Sequence, residues 1–114
     1  MKNEKFALIT DCPVTVTLEF IGGRWKSIIL YTLSAGTRRF GELSVRIPTI
    51  SRKVLTQQLR ELETHGLVKR VQFNEIPPRV EYSLTDLGLS LNKVMFEMER
   101  WGTEKGINAL TSRN

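Results

Sequence analysis

Five side chains between Ile50 and Arg70 carry donors and hydroxyls and no carboxylate: Lys53, Thr56, Gln57, Arg60 and Thr64. Spacings of three and four residues place them on one side of a helix. The chemistry such a set could perform is recognition of base edges. Arg and Lys donate to guanine O6 and N7, Gln pairs with adenine N6 and N7, and Thr offers a hydroxyl or a methyl to thymine. Glu61 and Glu63 fall off the centre of that face. Catalysis is not indicated. The chain has one His and one Cys, no phosphate-cradling loop and no metal-ligand spacing, so neither an enzyme nor a bound cofactor or metal is expected. His65 reads as a cation suited to the C-terminal end of a helix dipole.

Cys12 is the one residue with reactive potential. It precedes Pro13 at the start of a predicted helix, where unpaired N–H groups and the helix dipole favour a thiolate. Asp11 next to it works the other way. The alternative is an unreactive, partly buried thiol that packs like a small hydrophobe. With one cysteine per chain, oxidation must give an interchain disulfide or a mixed disulfide with a small thiol.

The elements that would position these residues follow from charge and periodicity. The 114 residues suit one domain, and a net charge of +5 is concentrated in the middle third. Residues 37–70 hold eight Lys/Arg against three Glu, while the segments on either side nearly balance. A local cationic field of this kind suits an anionic polymer. No apolar run approaches the roughly 18 residues of a membrane span. The opening MKNEKFALITDCP has no apolar core of signal-peptide length. The expected location is therefore cytoplasmic, which a single unpaired cysteine also fits.

Pro13 suits a first helical position. Leu18, Ile21, Trp25, Ile28, Ile29 and Leu33 then recur at helical spacing, with Gly22 and Gly23 as a weak point and Gly36 as a stop. A short helix is expected from about Phe40 to Arg46. Pro48 breaks the pattern, and Ser51 caps a longer helix that ends at Gly66. Leu55, Leu59 and Leu62 form the buried side of that helix. LVKRVQF and VEYSL alternate as strands around NEIPPR, a turn stiffened by Pro77 and Pro78. From Thr85 a final helix carries Leu87, Leu91, Val94, Met95, Met98 and Trp101 and ends near Gly102. Leu89 and Phe96 fall outside its stripe, so its apolar arc exceeds what one domain needs, which points to a dimer interface.

Short helix, tight turn, longer basic helix, then hairpin is the order of a winged helix-turn-helix, whose second helix enters the major groove. The expected class is α+β, mainly α, with additional N- and C-terminal helices. One domain should span 1–114, with the helix-turn-helix at about 40–65, the wing at about 67–85 and a C-terminal dimerisation helix at about 86–102.

Several stretches carry a more specific likeness: Cys12-Pro13-Val14, IGGRWK, RFGEL, IPTISRKVLTQQLRELE, GLVKR, PPRVEYSLT and the Trp101-Gly102 end. Together they make the chain resemble the HxlR-type winged helix-turn-helix regulators of bacteria, related to the MarR-like regulators. The resemblance implies a homodimeric, sequence-specific transcription factor with dimer contacts from its terminal helices. In some members of the family the cysteine of the CPV segment senses electrophiles or oxidants. The chain departs from the family at Arg24, where Lys is common, and at Thr49, where Gly is common. If that glycine serves a positive φ, Thr49 alters the angle at which the recognition helix enters.

The resulting expectation is a homodimer reading a pseudo-palindromic site on double-stranded DNA. Lys53, Gln57 and Arg60 are expected at base edges. Ser51, Arg52, Arg38, Arg39 and Thr56 are expected at phosphates, and Arg79 on the wing at the backbone or minor groove. Leu91, Met95, Met98 and Trp101 are expected at the dimer contact, with Cys12 as the redox-sensing candidate. No residue identifies a small-molecule or oxidant effector. The competing reading is a winged-helix module used only for protein contacts.

Overall fold

The computed structural model describes residues 12–112. Asp11, expected to oppose a Cys12 thiolate, lies outside them. The elements are α1 (Pro13–Ile21), α2 (Lys26–Leu33), β1 (Arg38–Arg39), α3 (Phe40–Arg46), α4 (Arg52–Thr64), β2 (Val68–Phe73), β3 (Arg79–Leu84), α5 (Asp86–Leu89), α6 (Asn92–Trp101), a π-helical turn (Gly102–Gly106) and α7 (Ile107–Thr111). The strands form one antiparallel sheet in the order β1-β3-β2.

The core is built around α2. Its Ile29, Leu30 and Leu33 are buried with Leu43 and Ile47 from the α3 end, Leu55, Leu59 and Leu62 of α4, and Leu67, Val68 and Tyr82 of the sheet. Each fully buried aliphatic side chain is worth about 1.5–3 kcal/mol. Trp25 and Phe40 pack partly buried against this cluster. Leu18 and Ile28, on the same helical spacing, are exposed.

Two expectations need correction, and the weak point at Gly22 and Gly23 is a local break. The first helix is two helices, because Gly22 is extended (ψ 171°) and Gly23 takes φ 84°, which ends α1 before Trp25. The final helix is interrupted after Leu89. Gly88 lies so close to the Leu67 carbonyl that a Cβ there would sit 2.2 Å from its oxygen, and Thr85 ties the same junction by donating to the Gly66 carbonyl. The chain then turns through Ser90 and Leu91 into α6. Gly102 does not stop α6 either. It is right-handed (φ −60°, ψ −44°), and the chain continues through the π-helical turn into α7. Strand β1 had no periodicity to reveal it, because two residues are too short for an alternation. No described helix is long and apolar enough to cross a membrane.

Other boundaries agree with the sequence. Helix α3 spans Phe40–Arg46, and Ser51 caps α4 by accepting a hydrogen bond from the Val54 N–H at 3.1 Å. Gly66 after α4 takes φ 76°. Thr49 adopts φ 73° in the turn between α3 and α4. The positive φ is therefore kept without the glycine, and the helix entry keeps that geometry at a cost. A left-handed backbone costs a residue with a Cβ about 1–2 kcal/mol, more than the roughly 0.4–1 kcal/mol by which glycine's unfolded-state entropy disfavours folding. Thr49→Gly is expected to raise unfolding stability by up to about 1 kcal/mol. Urea denaturation checks this, and an unchanged or lower midpoint would show that the turn is not strained.

Candidate nucleic-acid interface

Helix α4 is held from below and open above. Leu55, Leu59 and Leu62 are at most 1% exposed, while Arg52, Lys53, Gln57, Arg60 and Thr64 reach solvent on the other side. Thirteen residues make a rod about 20 Å long. Arg52, Lys53, Thr56, Gln57, Arg60 and Glu61 line one open groove along it. Lys53, Gln57 and Arg60 make no ion pair or side-chain hydrogen bond with any described residue, so their donors are available.

Of the two carboxylates near this face, Glu61 is paired. Glu61 meets Lys26 of α2 at 2.7 Å, which draws it towards the domain. Glu63 shares a polar hollow with Thr56, Arg60, Arg70 and Tyr82. Thr56 and Thr64 each donate their hydroxyl hydrogen to the carbonyl four residues earlier, Arg52 at 2.8 Å and Arg60 at 2.9 Å. As they stand, these hydroxyls offer a partner only lone pairs. The Arg52 guanidinium lies 4.8 Å from the centre of the Phe40 ring, so it braces α4 against α3 while remaining exposed.

The residues before α3 divide. Successive residues of a strand point to opposite faces. Arg39 is exposed, and its backbone N–H donates to Glu42 at 2.8 Å. That hydrogen bond, followed by the charges of Arg38, Arg46 and Arg39, holds the Glu42 carboxyl below its ordinary range against an opposing contribution from burial. Arg38 turns the other way, into a hollow lined by the end of α2, Arg46 and Phe96.

On the wing, Arg79 is paired through both terminal nitrogens, while its buried Nε has no hydrogen-bond partner. Its guanidinium meets Glu75 at 2.9 Å and Glu81 at 3.0 Å and lies 4.0 Å from the Phe73 ring centre. It fastens the hairpin within the protomer. Glu75 and Glu81 were the signal, standing four residues before and two after it. Lys69 and Arg70 of β2 are exposed, and Arg70 opens into the hollow shared with Arg60. They contributed to the basic count but were not singled out.

The four residues expected at a dimer contact also divide. Met95 is 4% exposed and belongs to the protomer's own core, and Leu91 packs partly buried against it. Met98 and Trp101 are exposed, at 47% and 62%. Ile107 and Leu110 are also exposed on the C-terminal helices, Phe96 is exposed on another side of α6, and Val14, Val16 and Leu18 expose apolar surface on α1. Cys12 sits half-exposed at the N-cap of α1, its carbonyl accepting the Val16 N–H at 3.0 Å.

Comparison with known proteins agrees with this architecture. Residues 20–109 match the HxlR-like helix-turn-helix family. The chain is 44% identical over 108 residues to the uncharacterised HTH-type transcriptional regulator YdeP of Bacillus subtilis, covering 90% of this chain and 84% of that protein. Among solved structures, the redox regulator HypR in its reduced form superposes with a TM-score of 0.82 at 44% identity, covering 88% of this chain and 98% of that one. Its oxidised form gives 0.79 at 45% identity, covering 82% and 97%. The diamide-treated transcriptional regulator YodB of B. subtilis gives 0.68 at 37% identity, covering 82% and 94%.

Proposed function

Because the chain belongs to the HxlR-like helix-turn-helix family of transcriptional regulators, we propose that it is a sequence-specific DNA-binding regulator acting as a homodimer, with Cys12 as its oxidant-responsive group. The observation that carries the reading is the α4 face. It is a rigid, leucine-anchored helix whose Lys53, Gln57 and Arg60 are unpaired, while its Glu61 is held by Lys26. A protein-only module would have no use for that distribution of charge.

Two α4 helices would enter successive major grooves of a pseudo-palindromic site whose half-sites lie about 10 bp apart. Lys53, Gln57 and Arg60 read base edges. Arg39, Arg52 and Ser51 hold phosphates, as does Thr56 once its hydroxyl turns away from the helix backbone. On the wing, Arg70 is better placed than the internally paired Arg79 to meet the DNA backbone. The exposed Met98 and Trp101, with the apolar face of α1, supply the dimer contact. One winged-helix domain carries all of these roles, with the helix-turn-helix at 40–65 and the wing at 67–85.

The redox reading rests on the likeness to HypR, solved in reduced and oxidised forms, and to diamide-treated YodB. Here a single thiol per chain sets the chemistry. Two Cys12 thiols joined across a dimer would lose two electrons and two protons to diamide, which becomes the hydrazine. A small-molecule thiol could take the place of the second Cys12.

Selection of bound sequences from a random DNA pool, with and without diamide, tests the reading as a whole. Three variant measurements resolve its parts. Gln57→Ala or Arg60→Ala should cost about 1–3 kcal/mol on the selected site and relax its sequence preference. Arg39→Ala should weaken all sequences alike and flatten the salt dependence by about one unit. Equal losses on selected and random DNA for all three would refute the division of roles. Trp101→Glu should shift the dimer to monomer in sedimentation, since a charge cannot be buried unpaired at an apolar contact. An unchanged dimer would place the interface elsewhere. Cys12→Ser should abolish the effect of diamide on DNA affinity, and a variant that still responds would remove Cys12 from the mechanism.

A further inference from the structure

The angle between α4 and the hairpin encloses a polar hollow lined by Thr56, Arg60 and Glu63 of the helix and by Arg70 and Tyr82 of the sheet. Strand register sets Tyr82 there. It stands directly across from Arg70 in the β2–β3 pair, and such partners share one face of the sheet with Cβ atoms about 5 Å apart. The tyrosine is 8% exposed and belongs to the core. Its hydroxyl makes no hydrogen bond with any described residue, although buried tyrosine hydroxyls usually find a partner. Nor is that oxygen shut off from solvent, as the unpartnered Nε atoms of Arg38 and Arg79 are. It opens into the hollow that the residue lines.

The other lining groups say what would fill it. Thr56 already gives its hydroxyl hydrogen to the Arg52 carbonyl at 2.8 Å, so the Tyr82 hydroxyl is the uncommitted one. Arg60 and Arg70 form no ion pair with any described residue. Against their two charges stands one carboxylate, Glu63, which leaves the hollow one positive charge in excess. A phosphodiester matches that balance better than a dianion does, with a single negative charge and two unesterified oxygens. Thr56 and Arg60 also line the α4 groove, so an anion seated here belongs to the same polymer that fills the groove. We propose that Tyr82 and Arg70 seat one phosphodiester of the DNA backbone in each protomer. The Tyr82 hydroxyl donates to one free oxygen and the Arg70 guanidinium to the other, both being ordinary donors to backbone phosphates. Arg60 adds its charge from the helix side while its fork stays available to a base edge. The seat rests on the DNA-binding reading and adds to it a contact made from the core. Because Tyr82 cannot shift without the sheet, it fixes how far the backbone stands from α4.

Tyr82→Phe removes the oxygen and keeps the ring. It should weaken binding to selected and random DNA alike by about tenfold. The salt slope should stay the same, because no charge is lost. The urea midpoint should not fall, because the hydroxyl has no partner in the free protein. Arg70→Met should weaken binding and also flatten the salt slope by about one unit. Phosphates of the selected site, replaced one at a time by uncharged methylphosphonates, should include one position per half-site whose replacement costs the wild type about tenfold and costs Tyr82→Phe at least about threefold less. Full affinity in Tyr82→Phe, a lowered midpoint, or equal losses for both proteins at every methylphosphonate would overturn the seat while leaving DNA binding in place. So would added inorganic phosphate that, at constant ionic strength, releases DNA from the wild type but not from Tyr82→Phe, since that marks a free-anion site. A wild-type protein that binds no DNA would overturn the seat together with the reading beneath it.

Discussion

The burial of α2 is the constraint on which the other elements depend. This eight-residue helix packs against α1, α3, α4, α6 and β3. Its Ile29, Leu30 and Leu33 are at most 2% exposed. Dense packing transmits displacement, because a core near crystal density leaves little room for independent adjustment. A shift of α2 therefore moves the floor under Leu55, Leu59 and Leu62. Lys26, at the first turn of α2, adds a polar tie to Glu61 on the same helix. The orientation of the basic face is thus set from beneath, by residues that never reach a partner.

Electrostatics on the surface follow from where carboxylates are bound. Glu61 is paired with Lys26, Glu42 with the Arg39 N–H, and Glu75 and Glu81 with Arg79. Each of these acids is drawn to an internal partner, while Lys53, Arg60 and Arg39 face outward without one. Individually such exposed pairs add little to stability. Their larger effect is on the field, since an acid held to one side repels a polyanion less than one pointing into the groove. The Glu42 carboxyl, held below its usual range, stays ionised and keeps its cap on α3 to lower pH than a free glutamate would. A carboxylate with a depressed folded-state value gives its stabilisation above its unfolded value and loses it as pH falls through the folded one.

Much of this was legible in the sequence where one local rule decides the outcome. Ser51 caps because a β-region residue with a hydroxyl can take the Val54 N–H, and Gly66 stops α4 because a left-handed residue is needed there. The leucine stripe of α4 follows from a 3.6-residue period and one buried side. Failures occurred where a distant contact decides. Nothing local in the Leu87–Trp101 pattern shows that Gly88 must press on Leu67, so the helix interruption was hidden. Met95 and Met98 share a stripe in sequence, yet one faces the core and the other faces solvent. Arg79 had opposite charges nearby, but whether they reach it depends on hairpin geometry. Arg38 and Arg39 look equivalent until strand pairing with Tyr82 and Glu81 turns them to opposite faces.

The π-helical turn at Gly102–Gly106 has a consequence for the phase of the C-terminal apolar residues. On an uninterrupted α-helix at about 100° per residue, Ile107 and Leu110 would point about 180° and 120° away from Met98. A π turn accommodates one additional residue, which removes about 100° of that rotation. Ile107 and Leu110 then fall within about 80° and 20° of Met98, and Trp101 lies about 60° to the other side. Gly106 makes room for the change, since a Cβ there would sit 3.0 Å from the Trp101 ring. The turn thus acts as a phase corrector that joins two misaligned segments into one continuous ridge.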